Sequence, residues 1–395
     1  MSDFVVSKVE NPLSLLQSVG VDPASIPIFQ RKGEFVNLMI YDVPVIAANV
    51  IKQEMLAAGG DAAVHKHAIT HKVEKTNVLT MGTIGQHQKV IDKLSKMHYW
   101  QLNEIGKQIE RCLFQQGIKQ IELPSGKKLV FDRTLIMGIV NLTPDSFYEG
   151  SRVDGEKVVD FVAKMVKEGV DIIDVGGEST RPGSERITEE EELNRVIPAV
   201  ELIKKNFDVI ISVDTYRARV AQEALKIGVD IINDISALRF DERMTEVLLE
   251  YKPAVVLMHM KGEPKTMQEN PHYDDVIKEL MFFFKERLEL MKKLNLADRV
   301  IIDPGIGFGK RLEDNLEILR RIDEFKSFKV PILIGASRKS FIGAILDGIP
   351  PQERLYGTLA VTAHCVSKKV DIIRVHDVLA NWHVAKIITR LIDQM

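Results

Sequence analysis

From residue 134 to the C-terminus, short apolar runs alternate with longer segments of mixed character. Eight runs are almost continuously apolar and rich in β-branched residues: 135–142, 171–177, 209–215, 230–235, 254–260, 300–305, 330–337 and 370–377. A run without apolar–polar alternation is typical of a strand buried on both faces, as in a parallel sheet covered by helices. The pattern therefore predicts eight parallel strands.

The segments between these runs carry helical signals. Apolar residues recur at helical spacing after the first run and before the sixth, and Thr188 with Glu191 is typical of a capping box that opens the second helix. Residues 134–395 are close in length to the roughly 250 residues of a closed (β/α)8 barrel. The repeat therefore predicts an α/β fold, a (β/α)8 TIM barrel. A doubly wound sheet is the alternative, but such a sheet usually has fewer strands per domain.

The chain before the barrel has a different pattern. Residues 119–132 read as a hairpin with its turn near Pro124–Gly126, and we expect this hairpin to plug the bottom of the barrel. Residues 1–117 predict a small α+β domain of unknown role, and 118–395 the catalytic barrel. Within the first domain, 34–43, 61–70 and 75–83 read as strands, and 44–59 and 85–97 as helices. A polar strand face explains His65, His67 and His71 better than a metal site, because their spacing fits no common zinc pattern.

Composition narrows the class of protein. Of the 395 residues, 45% are hydrophobic and 28% charged, which is typical of a globular chain. The net charge of −3 provides no overall basic field for nucleic acid. Two distant cysteines, no run long enough to span a bilayer and no secretory signal favour a cytoplasmic protein without a membrane partner.

Polar residues gather where the predicted strands end, which is where TIM barrels carry their chemistry. One such residue would be explained as a helix cap, but polar groups at all eight ends would face one mouth. The candidate site residues, in strand order, are Asn141 and Asp145, Thr180 and Arg181, Asp214, Asn233, Met258, Asp303, Lys339, and Arg374 with His376.

These residues divide into two chemical groups. Asp214, Asn233 and Asp303 offer acceptors and an amide to a ligand edge that is rich in N–H donors. A second, cationic group suits phosphate and comes from strands 1, 2 and 8, which are neighbours in a closed barrel. It consists of Asn141, Arg181, Arg374 and His376, and Lys339 stands between the two groups.

Two other motifs have simpler interpretations. The stretch 304–311, PGIGFGKR, resembles a phosphate loop but lacks the glycine spacing and the Ser/Thr after lysine that a nucleotide loop needs. Met258, His259 and Met260 could suggest copper, but a methionine-rich buried strand end explains them better.

Seven stretches resemble, in order, the dihydropteroate synthase family. They are MGIVNLTPDSF (137–147), DVGGESTRPGS (174–184), SVDT (212–215), ND (233–234), DPGIGFGK (303–310), GASRKSFIG (335–343) and RVHDV (374–378). The resemblance covers 134–395 and does not extend over 1–117. It implies a transferase of folate biosynthesis that condenses 6-hydroxymethyl-7,8-dihydropterin pyrophosphate with p-aminobenzoate. It further implies Mg²⁺ as cofactor, a homodimer, inhibition by sulfonamides and a dissociative mechanism.

The resemblance also implies residue roles. The pterin would meet Asp214, Asn233, Met258, Asp303, Lys339 and Arg374, and Thr180 belongs to the same substrate site. Pyrophosphate would meet Asn141, Arg181, Arg374 and His376, with Asn141 near Mg²⁺. p-Aminobenzoate would be framed by Phe147, Pro182, Phe308 and Ser340. Asp145 belongs to the catalytic first loop. Glu149 stands where the family usually has Asp, and we expect it to steady the cationic intermediate.

Two other functions compete with this one. A folate-binding methyltransferase that feeds a corrinoid protein would share the carboxylates, but it does not need the Ser-Arg-Lys stretch at 337–339 or the Arg-x-His corner at 374–376. A non-catalytic pterin scaffold, or an assembly module built on residues 1–117, is the second alternative. The intact chemistry at the strand ends argues against a degenerate barrel.

Overall fold

A computed structural model describes residues 6–9, 12–16, 18–142, 148–149, 152–178 and 186–392. The chain divides into two compact units, Met1–Gln116 and Gly117–Gln394. Across the described residues, no helix combines the length and the apolar character needed to cross a membrane.

The first unit is a small α+β domain. Its elements are α1 (Ile26–Gly33), β1 (Phe35–Pro44), α2 (Val45–Ala58), β2 (Asp61–Ala63), β3 (Lys75–Thr83), α3 (Ile84–Leu94) and α4 (Leu102–Phe114), after short 3-10 turns at Leu13–Leu15 and Pro23–Ser25. The three strands form an antiparallel sheet in the order β1-β3-β2. Ile51, Val78, Leu94 and Leu102 belong to its buried core.

One prediction for this unit is wrong. The expected strand 61–70 ends at Ala63, and His65, His67 and His71 lie beyond it in loop and turns. His71 has a positive φ of 55°, which a strand does not allow. These histidines therefore form no polar strand face.

The predicted hairpin is present at the start of the second unit. It comprises β4 (Gln120–Glu122) and β5 (Lys128–Val130), which pair antiparallel. Ile121, Leu123 and Leu129 are buried in one cluster with barrel residues such as Leu135 and Ile172, which are the first residues of their strands. This packing confirms that the hairpin plugs the amino-terminal end of the barrel.

Eight parallel strands form the barrel and confirm the predicted fold. They are β6 (Leu135–Asn141), β9 (Ile172–Gly176), β10 (Ile210–Asp214), β11 (Ile231–Asp234), β12 (Ala254–Met258), β13 (Val300–Asp303), β14 (Leu333–Ile334) and β15 (Ile372–Val375), with the short pair β7 (Tyr148–Glu149) and β8 (Arg152–Val153) after the first. Their order is β13-β12-β11-β10-β9-β6-β15-β14. A bridge between Ile302 and Ile332 joins the two edges. The first, second and eighth barrel strands are neighbours, as predicted.

Helices cover the outside of this sheet. They are α5 (Gly155–Lys167), α6 (Glu189–Asn206), α7 (Ala218–Ile227), α8 (Met244–Tyr251), α9 (Val276–Lys293), α10 (Leu312–Arg320), α11 (Ser340–Ile345), α12 (Leu355–Ser367) and α13 (Val378–Ile392), with 3-10 turns at Ala297–Arg299, Ile322–Phe328 and Pro351–Glu353. At the start of α6, the Thr188 hydroxyl accepts from the Glu191 amide at 3.2 Å, while the Glu191 carboxylate pairs with Arg195. The capping box is therefore only half formed.

Side-chain alternation along the strands determines what fills the barrel. Residues two apart share a face, so the inward row of β9 continues from Ile172 to Asp174, and that of β15 from Ile372 to Arg374. Likewise β11 continues from Ile231 to Asn233. The lower inward residues pack against the plug, and the upper ones form a polar layer below the carboxyl-terminal mouth.

Candidate active site

Arg374 lies at the centre of the polar layer. Its Nε donates to Asp174 Oδ2 at 2.6 Å, and its Nη2 donates to Asp214 Oδ2 at 2.8 Å. Asn233 Nδ2 donates to the same Asp174 oxygen at 3.2 Å. Four side chains from four strands thus form one hydrogen-bonded cluster. Three of them were predicted site residues.

Burial changes the acidity of this cluster. It raises the pKa of Asp214 to about 7, although the positive charge of Arg374 acts in the opposite direction. Burial also raises the pKa of Asp303, which is 5% exposed, against the opposing charge of Lys339. The mouth therefore holds one carboxyl group, that of Asp214, with a pKa near neutral, and a second, that of Asp303, with a pKa shifted upward.

Lys339 lies beside the loop that follows β13. Its Nζ donates to the carbonyl oxygen of Ile306 and lies 4.4 Å from the centroid of the Phe308 ring. Burial lowers the pKa of Lys339 to about 8, while the nearby Asp303 acts to raise it. The structure thus brings together Lys339, Asp303 and Phe308, as the sequence predicts.

The glycine-rich stretch 304–311 is a packed turn. Gly305 and Gly309 have φ values of +69° and +61°, and a Cβ on either would lie 2.0 or 2.2 Å from the carbonyl oxygens of His259 and Lys261. Gly305 also donates its N–H to Asp303 Oδ1 at 2.7 Å. The glycines therefore allow the loop to approach the end of β12 and hold Asp303.

Lys310, within the same stretch, faces the interior. It is 3% exposed, and its Nζ lies 3.0 Å from His259 Nδ1 and donates to the His259 and Phe308 carbonyl oxygens. Burial lowers the pKa of Lys310 to about 7. Its role is therefore to join two loops, unlike the exposed lysine of a phosphate loop.

The methionines at the end of β12 are core residues, as predicted. Met258 and Met260 are buried in a cluster with Tyr216, Ile235 and Met267, and Phe308 packs against this cluster. Met258 thus provides an apolar floor beside the polar layer.

The end of β15 is joined to the loop after β14. Ser337 Oγ lies 3.0 Å from His376 Nδ1 and accepts from the His376 amide at 3.2 Å. Arg338 makes a bidentate pair with Asp377 at 2.6 and 2.8 Å. These contacts orient His376 two residues above Arg374. Ser340 is exposed at the first position of α11.

Asn141 ends β6 opposite Gly176 of β9. A Cβ on Gly176 would lie 3.7 Å from Asn141 Oδ1 and 3.5 Å from Asp214 Cβ. Position 176 therefore lies between the amide of Asn141 and the side chain of Asp214 at the rim.

Several predicted residues lie outside the described part of the chain. They are Asp145, Phe147, Thr180, Arg181 and Pro182. Glu149 is described as part of β7, without its side chain. Beside this region, the Glu178 carboxylate accepts from Arg217 at 2.8 Å and from the Tyr216 hydroxyl at 3.2 Å.

Comparison with known proteins identifies the family. The model of the pterin binding enzyme family matches residues 137–376. A relative from Synechocystis, a dihydropteroate synthase, is 44% identical over 270 residues, which span 67% of this chain and 93% of the relative. The chain belongs to the dihydropteroate synthase family.

Solved structures of the family share the barrel. A Yersinia pestis dihydropteroate synthase with a sulfonamide drug complex has a TM-score of 0.66 and 38% identity, and the match covers 69% of this chain and 99% of that one. A Xanthomonas albilineans dihydropteroate synthase with 4-aminobenzoic acid has a TM-score of 0.65 and 36% identity, with 69% and 98% covered. These matches confirm the family resemblance and the fold.

Asp174 is the site residue that sequence reasoning missed. It stands inside the apolar run 171–177 rather than at its end, and reading only strand ends passes over it. Strand alternation gave a signal for it. Asp174 lies two residues after the inward-facing Ile172 and so shares its face, and an acid on that face must find a partner inside the barrel.

We expect Gly305→Ala to destabilise the barrel more than Gly348→Ala. Both positions have positive φ, which costs a side chain about 1–2 kcal/mol. A Cβ on Gly348 meets nothing within 4 Å, whereas one on Gly305 meets the His259 carbonyl. Overpacking should add roughly 1–3 kcal/mol. Urea unfolding of the two variants measures the difference, and equal losses would contradict the packing argument.

Proposed function

We propose that the barrel condenses 6-hydroxymethyl-7,8-dihydropterin pyrophosphate with p-aminobenzoate to form 7,8-dihydropteroate and pyrophosphate. The observation that carries the proposal is the cluster of Arg374 with Asp174, Asp214 and Asn233 below the mouth. In this cluster, hydrogen-bond acceptors that suit a heterocycle lie beside the guanidinium of Arg374, which suits a departing anion. The intact Ser337–His376 contact favours this reaction over corrinoid-linked methyl transfer, which has no diphosphate to hold.

The pterin is held by the acceptor group of the mouth. Its 2-amino and N3–H groups are donors, which suit the carboxylates of Asp214 and Asp303 and the amide oxygen of Asn233. Lys339 meets the pterin carbonyl and ring nitrogen, and the planar guanidinium of Arg374 stacks on the ring. Met258 supplies apolar surface below it, and Thr180 completes this side of the site.

The pyrophosphate lies toward Asn141, Arg181, Arg374 and His376. Guanidinium and imidazole N–H groups suit phosphate oxygens. Mg²⁺ is expected here with the diphosphate. In the described ranges no group of three or more His, Cys, Asp or Glu side chains could hold a metal ion. The amide oxygen of Asn141 at the rim still suits Mg²⁺, which binds substrate phosphates with few protein ligands. When bound, the ion offsets negative charge on the leaving group.

p-Aminobenzoate occupies the outer part of the mouth. Phe147, Pro182, Phe308 and Ser340 frame its ring and carboxylate. Phe308 supports this placement, because its ring packs between the methionine cluster and the Lys339 ammonium. The amine would then approach the methylene carbon from the solvent side of the pterin. A pocket of this kind also accepts sulfonamides, which mimic the acid.

The reaction is dissociative. The bond between the exocyclic methylene carbon and the bridging pyrophosphate oxygen breaks, and the electron pair leaves with pyrophosphate. The positive charge on the methylene spreads into the dihydropterin ring, where Asp214 and Asp303 stabilise it. Asp145 and Glu149 steady the cation from the first loop. The neutral amine of p-aminobenzoate then forms the carbon–nitrogen bond and loses its proton to solvent or pyrophosphate.

A pyrophosphate-release assay tests the function. With the dihydropterin pyrophosphate, p-aminobenzoate should stimulate release strongly and yield one dihydropteroate per pyrophosphate. Asp303→Asn should raise the KM for the pterin substrate about 10–100-fold, since a hydrogen bond to a charged group is worth about 1.5–3 kcal/mol. Asp371→Asn, at a partly buried acid on the amino-terminal side of β15, is the control and should leave that KM unchanged. No release with both substrates would refute the function.

Binding of a pterin that lacks the diphosphate should depend on pH in two directions. Below about 7, Asp214 gains a proton, and one of its acceptor oxygens becomes a donor that opposes the pterin's own donors. Above about 8, Lys339 loses its charge and binds the carbonyl less well. Calorimetric titration across this range should give a bell-shaped affinity curve. Asp214→Asn should remove the acid limb, and Lys339→Arg should move the alkaline limb to higher pH; unchanged limbs would contradict the assignment.

We also propose that residues 118–395 hold the whole catalytic site, that residues 1–117 have another role, and that the protein is a cytoplasmic homodimer. Exposed apolar residues support a dimer face on the adjacent helices α12 and α13: Tyr356, Leu379, Ile387 and Leu391. Those of α13 recur at multiples of four, on one side of the helix.

Ile387→Asp should therefore shift the mass measured by light scattering toward the monomer. Leu249→Asp, at an exposed apolar residue of α8, is the control and should not shift it. A monomeric wild-type protein, or equal effects of the two substitutions, would refute the dimer face.

A further inference from the structure

We infer that Asp174 is a positioning residue, which fixes the amide of Asn233 and the guanidinium of Arg374 in the orientations that the pterin requires. The inference rests on the proposed function and extends it to a side chain that does not touch the substrate. Its basis is the place of Asp174 in the barrel and the two donors that share its carboxylate.

Asp174 lies one inward position below the rim. It is 0% exposed, with Ile172 beneath it and Gly176 above it on the same face of β9. Its Oδ2 accepts from both Arg374 and Asn233, while Oδ1 has no hydrogen-bond partner among the described residues. A fully buried carboxylate acts through its neighbours, here the Arg374 and Asn233 side chains that donate to it.

The contact to Asn233 decides which way that amide faces. Because Nδ2 donates to Asp174, the acceptor Oδ1 is the atom that remains for a ligand. Asn233 is 4% exposed, and because the O and NH2 groups of an amide are nearly equal in size, its hydrogen bond rather than its packing sets the orientation. Without Asp174 the amide could turn and present its NH2 group to the pterin, whose facing edge also consists of donors. The hydrogen bond between Asn233 and Asp174 therefore determines whether Asn233 presents an acceptor or a donor to the pterin.

The contact to Arg374 fixes the plane of the guanidinium. Asp174 on β9 holds Nε, and Asp214 on β10 holds Nη2. Two anchors on different nitrogens prevent rotation about the terminal bonds of the side chain. The two acids differ in accessibility, since Asp174 is fully buried and Asp214 lies at the rim end of its strand. Asp174 can thus keep Arg374 in place while Asp214 exchanges its contact for the pterin.

The charge of Asp174 also reaches Asp214. The pKa of Asp214 is raised chiefly by burial; Arg374 lowers it, while Asp174, Glu192 and Asp234 raise it. Removing the negative charge at position 174 should therefore move the acid limb of pterin binding to lower pH. A side chain that served only to fill space would not produce this shift.

Kinetics of Asp174→Ala and Asp174→Asn test the inference. Asp174→Ala should raise the KM for the pterin substrate at least tenfold and leave the KM for p-aminobenzoate within about twofold, because it removes the charge-assisted hydrogen bonds that orient Arg374 and Asn233. Asp174→Asn should have a smaller effect on the pterin KM, since its amide oxygen still accepts from Arg374 and Asn233. Asp174→Asn should also shift the weakening of pterin binding at acid pH to lower pH. This variant tests the inference if the alanine variant does not fold.

Asp230→Asn is the matched control. Asp230 is equally buried in the barrel and also has an unpartnered oxygen among the described residues, but it precedes β11 and contacts Ser125 of the plug. This variant should leave both KM values and the pH profile unchanged. If it raised the pterin KM as Asp174→Asn does, the effect would be general to buried acids, and the inference would fail.

A double-mutant cycle separates positioning from general destabilisation. If Asp174 acts through Arg374, the effect of Asp174→Ala on the pterin KM should shrink in an Arg374→Ala background. Additive effects, or an unchanged pterin KM in folded Asp174→Ala, would overturn the inference. Failure of this inference can be told apart from failure of the proposed function. The function is tested by pyrophosphate release from the wild-type protein with both substrates, which does not depend on the role of Asp174.

Discussion

The buried position of Arg374 is the constraint on which the mouth depends. A guanidinium cannot lose its proton under physiological conditions, so its charge needs partners wherever it is buried. Here Asp174 and Asp214 supply them from two strands on the far side of β6. The arrangement joins the last strand of the barrel to the second and third, across the strand that separates them. These hydrogen bonds between strands at the mouth are thus a consequence of satisfying one buried charge.

The apolar contacts of the hairpin plug offset the cost of burying this polar layer. Ile121, Leu123 and Leu129 complete an apolar layer with the lower inward residues, so the lower half of the barrel is sealed from water. Such burial stabilises by about 25 cal/mol per Å² of apolar surface. The upper half can then carry acids, an amide and an arginine on the same rows of side chains. Strand alternation places Asp174, Asn233 and Arg374 directly above the apolar residues Ile172, Ile231 and Ile372, whereas Asp214 stands above Ser212.

The barrel was predictable because its signals are local. Near-continuous apolar runs such as 135–142 and helical spacing between them predict buried parallel strands without knowledge of distant contacts. The seventh strand, β14, is far shorter than its predicted run. Pro331, which lacks an N–H, and Gly335 flank it, so few ladder bonds can form. The predicted strand 61–70 failed for a different reason, since nothing in its composition shows that pairing stops at Ala63.

The site was less predictable, since partners are chosen by tertiary distance. The sequence identifies Arg374 and Asp214 as polar strand ends but cannot show that the guanidinium of Arg374 divides its donors between Asp174 and Asp214. It also cannot show that Lys310 turns inward to His259 while Lys339 faces the mouth, although both follow glycine- or serine-rich turns. The alternation of side chains along β9 would have identified Asp174 as inward-facing, because that rule depends on local geometry alone.

The balance of charge in the mouth agrees with a reaction that separates charge. Asp174, Asp214 and Asp303 face the inner part of the site, with Arg374 and Lys339 as the cations among the described residues there. Since burial pushes Asp214 and Asp303 toward their neutral forms, a positive charge that develops on the pterin would favour their ionised forms. In the reaction that we propose, the same burial that makes these acids costly to ionise in the empty site would strengthen their attraction for the cation, and His376 and Asn141 would stand on the side where the anion departs.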